Sequence, residues 1–166
     1  MFSKFLCTDV LAIRCVDNFI FVGMGCVLYI FNAKTYKLEK KINCLYPYNI
    51  HGIVKGPNNK LTVFGANYFS TYKIYHKQET LMIEEDSNKK RLNDWIVAAE
   101  WVIFDECDYL CVLLAHNNVC IYNVSSECYQ SICCEERCIL YPYIYIFKQN
   151  ILTLILTLLL DTLAPC

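Results

Sequence analysis

Short strand-like runs occur in three sets of four along this chain, and almost no helical periodicity is present. The third runs of the three sets superpose at Ile30, Ile74 and Ile121, which lie 44 and then 47 residues apart. The predicted strands are 10–16, 19–22, 27–31 and 38–42, then 50–54, 61–64, 68–75 and 81–83, then 96–104, 109–114, 119–124 and 129–133. This repeat limits the chain to an all-β architecture built from four-stranded units.

A period near 40–45 residues with four strands per unit is the signature of WD40-type β-propeller blades. No Trp-Asp dipeptide closes a third strand and no Gly-His begins a unit, so the spacing alone carries the prediction. We predict an incomplete propeller over residues 1–141, with blades at about 10–47, 48–86 and 94–137 and the start of a fourth. Since propellers have about 4–8 blades, we expect a fragment or blades supplied from elsewhere. A single-sheet meander is the alternative.

Composition excludes several classes of protein. Hydrophobic residues make up 56% and the formal charge is −1, which excludes intrinsic disorder and a global basic excess. The 12 cysteines include Cys107-x3-Cys111 and Cys134-x3-Cys138 but no Cys-x2-Cys, so we expect buried thiols and no metal site. Residues 142–166 form an atypical apolar tail whose run at 151–160 is short for a membrane helix of about 20 residues. A tail anchor through residues 139–160 is the alternative.

The sequence contains no recognisable active site, so we predict no enzymatic activity and no cofactor. No glycine-rich strand–helix turn is available for a nucleotide, and the spacing of His51, His76 and His116 selects none of them as a catalytic base. Acidic residues at 84–86 and at 105, 106 and 108 fall in predicted loops, and 84–93 is expected to be the most mobile loop.

Five segments in register resemble the first blades of the WD repeat-containing protein 6 family. They are Tyr48-Asn49-Ile50-His51-Gly52-Ile53, Val63-Phe64-Gly65-Ala66, Asp94-Trp95-Ile96 with Ala98 and Trp101, Leu114-Ala115-His116-Asn117-Asn118-Val119, and Cys134-Glu135-Glu136-Arg137-Cys138-Ile139-Leu140. The resemblance covers roughly residues 10–141 and ends after Tyr141, as in an N-terminal fragment. It implies a non-catalytic cytoplasmic protein that partners the catalytic subunit of a tRNA ribose 2′-O-methyltransferase and positions tRNA for wobble-nucleotide methylation. The enzyme subunit would carry S-adenosylmethionine.

Two groups of residues are candidates for binding. Residues 1–82 hold ten Lys or Arg against four Asp or Glu, whereas residues 83–137 hold four against eleven. The basic excess, interleaved with tyrosines, predicts RNA contact, although the same lysines could simply keep a sheet edge soluble. These candidate RNA-binding residues are Lys34, Lys37, Lys40, Lys41, Lys55 and Lys60.

Trp95 and Trp101 are the candidate partner-binding residues. Six residues separate them, so strand alternation would place both on one face, where an exposed tryptophan would anchor an interface. Core packing is the default expectation for at least one of them. A protein–protein scaffold without RNA and a tail-anchored membrane protein remain the alternative functions.

Overall fold

The computed structural model of the chain describes residues 9–77, 80–104, 106–116, 118–123 and 128–133. Within these ranges the backbone forms twelve β-strands and no helix. The strands are β1 (Val10–Val16), β2 (Phe19–Met24), β3 (Val27–Asn32), β4 (Leu38–Asn43), β5 (Gly52–Lys55), β6 (Lys60–Gly65), β7 (Tyr68–Lys77), β8 (Thr80–Arg91), β9 (Ile96–Phe104), β10 (Cys107–Leu114), β11 (Asn118–Asn123) and β12 (Cys128–Cys133).

Consecutive strands pair antiparallel into three four-stranded meanders. Blade 1 contains β1 to β4, blade 2 contains β5 to β8, and blade 3 contains β9 to β12. The first strand of blade 2 contacts β1 and β2 on one side and β9 on the other, so the first strands lie innermost and adjacent. Stacked meanders with their first strands innermost are the arrangement of propeller blades, as the repeat predicted.

Tight turns at one end of the sheets follow from small residues that accept a left-handed backbone. Met24 pairs with Val27 across a two-residue turn in which Gly25 has a φ of 57°. Gly65 pairs with Tyr68 across Ala66, whose φ is 51°. Gly23 and Gly65 lie within β2 and β6, and the turns begin one or two residues later.

Two hydrophobic clusters join neighbouring blades. The first combines Phe21, Leu28 and Ile30 of blade 1 with Leu61 and Val63 of blade 2, all fully buried. The second packs blade 2 against blade 3 and contains Val54, Phe64, Phe69, Leu92, Ile96, Trp101, Leu110, Val112, Leu114, Cys120 and Tyr122. Burial of these apolar faces is what holds each blade against the next.

Strand β8 differs most from the sequence-based expectation. A strand over 81–83 followed by a mobile loop over 84–93 was expected, but β8 runs from Thr80 to Arg91 and pairs with β7 with two register shifts. This strand is outermost in its blade and has one strand neighbour, so its charged side chains can face solvent while its backbone remains paired. Glu84, Glu85 and Asp86 are accordingly exposed strand residues, not loop residues. The Tyr75 hydroxyl donates a hydrogen bond to Glu84.

Residues 1–8 and 134–166 lie outside the described residues, and so do the expected start of a fourth blade, the apolar tail and the alternative tail anchor. None of the described residues belongs to a helix that could cross a membrane. Among the described cysteines, Cys44, Cys111 and Cys120 are buried free thiols. Burial raises the pKa of Cys44 to about 11 and that of Cys111 to about 12, which keeps both thiols protonated and unreactive at neutral pH.

Candidate functional site

An open cavity of about 590 Å³ lies at one end of blades 1 to 3, where three connections meet. The connections are β4 to β5 (44–51), β6 to β7 (66–67) and β8 to β9 (92–95). We call this space the rim cavity and this end of the blades the rim end. Its lining residues are Pro47, Tyr48, Asn49, His51, Ala66, Asn67, Asn93, Asp94 and Trp95.

Backbone contacts hold the three connections together. A Cβ atom added at Gly65 would lie 1.8 Å from the Asn49 carbonyl oxygen, so glycine is what lets the β4–β5 connection pass directly over β6. The Ile96 N–H donates to the carbonyl of Ala66 (2.7 Å), and the Asn67 side-chain amide donates to the carbonyl of Leu92 (3.1 Å). The cavity walls are therefore fixed by the fold of blade 2.

Trp95 is the most exposed large apolar side chain in the cavity wall, with 50% of its surface accessible. Its indole stacks on the His51 imidazole, with ring centroids 5.2 Å apart and planes inclined by 29°. The residue lies in the β8–β9 connection, one position before β9 begins. A rigid aromatic surface next to an open cavity is a suitable docking place for an apolar or planar group.

Asp94 ties the β8–β9 connection to the β10–β11 turn. Its Oδ1 accepts from the Trp95 N–H (2.7 Å), and its Oδ2 accepts from the backbone N–H (3.1 Å) and ring Nδ1 (2.6 Å) of His116. The hydrogen bond from the His116 ring, followed by the one from the Trp95 N–H, lowers the pKa of Asp94. Asp94 is therefore an ionised carboxylate whose two oxygens already accept hydrogen bonds within the fold.

A basic and aromatic cluster flanks the same cavity. Tyr48 stacks on Tyr68 with centroids 4.5 Å apart, and a hydrogen bond with the Tyr68 hydroxyl raises the pKa of Tyr48. The Lys89 ammonium lies 5.1 Å and the Arg91 guanidinium 5.9 Å from the centroid of Tyr68. Lys89 also donates to the Tyr46 carbonyl (2.9 Å). Cation–π contacts of this kind position both charges beside the cavity.

The two tryptophans do not share a strand face. Trp95 precedes β9, so strand alternation does not apply to it, and Trp101 is only 9% exposed. The Trp101 indole N–H donates to the Thr62 hydroxyl (3.1 Å), and the ring packs between blades 2 and 3. Trp101 therefore lies in the core, as the default for at least one of the two predicted, which corrects its assignment as a partner-binding residue, whereas Trp95 lies at the surface.

The six candidate RNA-binding lysines lie away from the rim cavity and fall into two groups. Lys34 and Lys37 are exposed in the β3–β4 turn, and Lys40 and Lys41 follow on β4, with the Lys41 ammonium 5.1 Å from the centroid of Tyr29. Lys55 and Lys60 lie at the end opposite the rim cavity and are ion-paired.

The Lys55 ammonium is 3.4 Å from Asp17, and the Lys60 ammonium is 3.3 Å from Asp108. Lys60 also lies 5.6 Å from the centroid of Trp101. These two lysines link neighbouring blades, so part of the charge that the sequence assigned to RNA contact is neutralised by carboxylates.

Sequence reasoning missed most of the basic cluster at the rim. Lys89 and Arg91 were placed in a mobile loop, and His51 and His116 had no spacing that selected them. Pairing of β8 with β7 is what places Lys89 and Arg91 beside Tyr68. In the parts of the chain that the structure describes, no three His, Cys, Asp or Glu side chains come together to hold a metal ion.

Neither a known family model nor any curated protein matches this sequence. Solved structures do match. The β-propeller domain of Swd1 (Cps50) from Myceliophteria thermophila is 10% identical with a TM-score of 0.61, over 75% of this chain and 41% of that one. The WD40 repeats of RRP9 are 10% identical with a TM-score of 0.58, over 80% and 41%.

The WD40 domain of SCAP from fission yeast is 13% identical with a TM-score of 0.54, over 77% and 32% of the two chains. This chain thus spans less than half the length of the structures it resembles. The comparisons establish the fold: the described residues form part of a WD40-type β-propeller. At these identities, they carry no information about partners.

Proposed function

We propose that this chain is a non-catalytic propeller subunit that binds a partner protein at the rim cavity. The half-exposed Trp95 beside an open cavity is the observation that carries the proposal. Tryptophan is enriched among the residues that dominate binding energy, and such residues sit in pockets that exclude water on binding. Its stacking on His51 holds the indole in place before a partner arrives, which lowers the entropic cost of association.

We further propose that the partner is the catalytic subunit of a tRNA ribose 2′-O-methyltransferase, and that the complex acts in the cytoplasm. The support comes from the sequence resemblance combined with position in the fold. Parts of four of the five resembling segments lie at the rim end: 48–51, 66, 94–95 and 116, whereas Ala98 and Trp101 of the third segment lie along β9. The fifth segment, 134–140, lies outside the described residues.

Contact with tRNA is assigned in this proposal to the lysines of blade 1. Lys34, Lys37 and Lys41 are exposed, and none of them lines the rim cavity, so RNA and a protein partner could bind at the same time. Charge reversal at Lys37, Lys40 and Lys41 should weaken tRNA binding and reduce its dependence on salt. Unchanged tRNA binding in this variant would reject the lysine site. Absence of tRNA binding by the wild-type chain, together with intact partner binding, would instead favour a scaffold without RNA, the second candidate function.

The direct test of the interaction is capture of the methyltransferase subunit by the purified full chain. Trp95→Ala should weaken capture by about tenfold or more, because truncation of a central tryptophan costs at least about 2 kcal/mol. Ile103→Ala is the matched control, since Ile103 is 65% exposed at the far end of β9. Equal capture by the two variants would contradict the proposed binding site.

The test of the pathway is mass spectrometry of ribose methylation at the tRNA wobble nucleotide after deletion of the gene. The proposal expects loss of the modification. An unchanged level would reject the methyltransferase partnership and leave the protein-binding role of the rim to be tested by the capture experiment alone.

A further inference from the structure

We infer that the segment bound in the rim cavity is an acidic peptide that carries a large aromatic or apolar side chain. The inference rests on the proposed function, in which this rim binds a protein. It adds the chemistry of the segment that is recognised.

The balance of charge at the rim end is positive. Among the described residues of the three connections, Asp94 is the single carboxylate, and its oxygens accept hydrogen bonds from Trp95 and His116. Lys89 and Arg91 at the end of β8 lie on the same side of the molecule. The acidic excess of residues 83–137, which could suggest a basic partner, is thus not what this surface presents. The exposed carboxylates at 84–86 lie earlier in β8, several residues before the strand reaches the rim end.

The two cations are placed to bind carboxylates. Both lie within 6 Å of the centroid of Tyr68, which stacks on the cavity-lining Tyr48. Lys89 uses one donor on the Tyr46 carbonyl, which leaves two for a ligand. The planar guanidinium of Arg91 can bind a carboxylate through two parallel hydrogen bonds.

The cavity supplies the apolar part of the recognition. Trp95 and His51 form one wall, and a side chain entering the cavity would contact the accessible face of the indole. Asn49 and Asn93 line the same space and have amide groups suited to the backbone of an extended peptide. A peptide with an aromatic or large apolar side chain flanked by Asp or Glu would contact the indole, the two amide groups and the two cations together.

Nucleic acid fits the same surface less well. Single-stranded RNA is bound along a groove whose positive charge follows the backbone for several nucleotides. Here the cations are confined to one side of a concave cavity, and the remaining lysine-rich surface of blade 1 lies elsewhere. Charge complementarity with a short acidic segment is therefore the better match.

The experiment measures binding of labelled polymers to the purified full chain by fluorescence anisotropy. The probe is a random copolymer of glutamate and tyrosine, compared with polyglutamate, with a copolymer of lysine and tyrosine, and with a 12-nucleotide oligouridylate. We expect the glutamate–tyrosine copolymer to bind most tightly, at least about fivefold better than polyglutamate. Its affinity should fall as salt rises, because exposed charges are screened.

Two rim variants and one control locate the site. Lys89→Glu with Arg91→Glu should weaken copolymer binding by about tenfold or more, whereas Lys34→Glu with Lys37→Glu, the same change of charge in the β3–β4 turn, should leave it within about twofold. Lys89→Gln with Arg91→Gln removes both charges while keeping polar side chains and should weaken binding by about threefold or more. Circular dichroism of each variant confirms that it is folded.

Each other outcome overturns the inference in a distinguishable way. Equal binding of the acidic and basic copolymers, lost in Trp95→Ala, would reject the charge preference while retaining a protein-binding rim. Preferential binding of oligouridylate, lost in the same variant, would reject both the inference and the proposed function of the rim. Copolymer binding that no rim substitution changes, or no copolymer binding at all, would reject the assigned site.

Discussion

A buried hydrogen bond between the Trp101 indole and the Thr62 hydroxyl joins blade 3 to blade 2. Thr62→Val should destabilise the protein by about 1–3 kcal/mol, since the indole N–H would lose its partner in the core. A double-mutant cycle with Trp101→Phe, measured by urea unfolding, should give a coupling energy of about 0.5–1.5 kcal/mol. Additive effects would mean that the two side chains do not interact in solution.

Asp94 should give the protein a specific dependence on acid. Its pKa lies below the ordinary value of 3.8, chiefly through the hydrogen bond from His116, so ionisation stabilises the folded state. That contribution is fully present above the ordinary value and is lost as pH falls through the lowered folded-state pKa. The difference in unfolding free energy between wild type and Asp94→Asn should therefore shrink on acidification below 3.8. A difference that does not vary with pH would contradict the assigned hydrogen bonds.

At the residue scale, the sequence pattern did not distinguish the different environments of the two tryptophans. Spacing placed Trp95 and Trp101 on one strand face, and the structure shows one in a connection and one in the core. The difference is a boundary effect: β9 begins at Ile96, so one residue of strand length decides whether Trp95 obeys strand alternation. The predicted strand, 96–104, already had this boundary, so the error came from extending strand alternation to Trp95, one residue before the strand.

At the scale of a single element, β6 should tolerate no side chain at Gly65. Gly65→Ala would place a Cβ 1.8 Å from the Asn49 carbonyl oxygen, and the β4–β5 connection would have to move. We expect a loss of about 1–3 kcal/mol of stability, measured by urea unfolding. The adjacent Ala66→Gly is the control: Ala66 has a φ of 51°, so glycine there should be neutral or stabilising. Equal stability of both variants would contradict the close approach.

Strand β8 gives a second test at this scale. If residues 84–91 pair with β7, limited trypsin digestion should cut the exposed β3–β4 turn at Lys34 or Lys37 before it cuts at 89–91. Mass spectrometry of early fragments measures the order of cleavage. First cleavage after residue 89, 90 or 91 would instead support the mobile loop that the polar composition suggested.

The polar sequence of β8 did not indicate a strand. An outermost strand has only one neighbouring strand, so its side chains can be charged and exposed while its backbone is paired. Its exposed charged residues resemble those of a loop, while the pairing that defines the strand is made with β7. Interior strands such as β2, β6 and β11 were predicted within two residues because their side chains are mostly apolar. Pattern therefore located the interior strands well and missed the extent of β8, although the outermost β4 and β12 were predicted within one residue.

At the scale of the whole molecule, the repeat predicted the propeller, while the rim cavity could not be read from the sequence. The cavity combines connections that lie up to about 50 residues apart, and its charge depends on which residues reach that end. Summing charge along residues 83–137 gives an acidic segment, yet the rim end presents Lys89 and Arg91. Stacking of the blades decides this, and local composition does not.

Site-specific photo-crosslinking in cells tests whether the rim cavity binds a partner protein. The chain carries p-benzoylphenylalanine at Trp95, with the same residue at Ile103 as the exposed control on the opposite end of β9. We expect the Trp95 position to crosslink, in clear excess over the control, to a protein segment rich in Asp and Glu. Crosslinking that is equal at the two positions, or that captures only RNA, would contradict the claim that the rim cavity binds a partner protein.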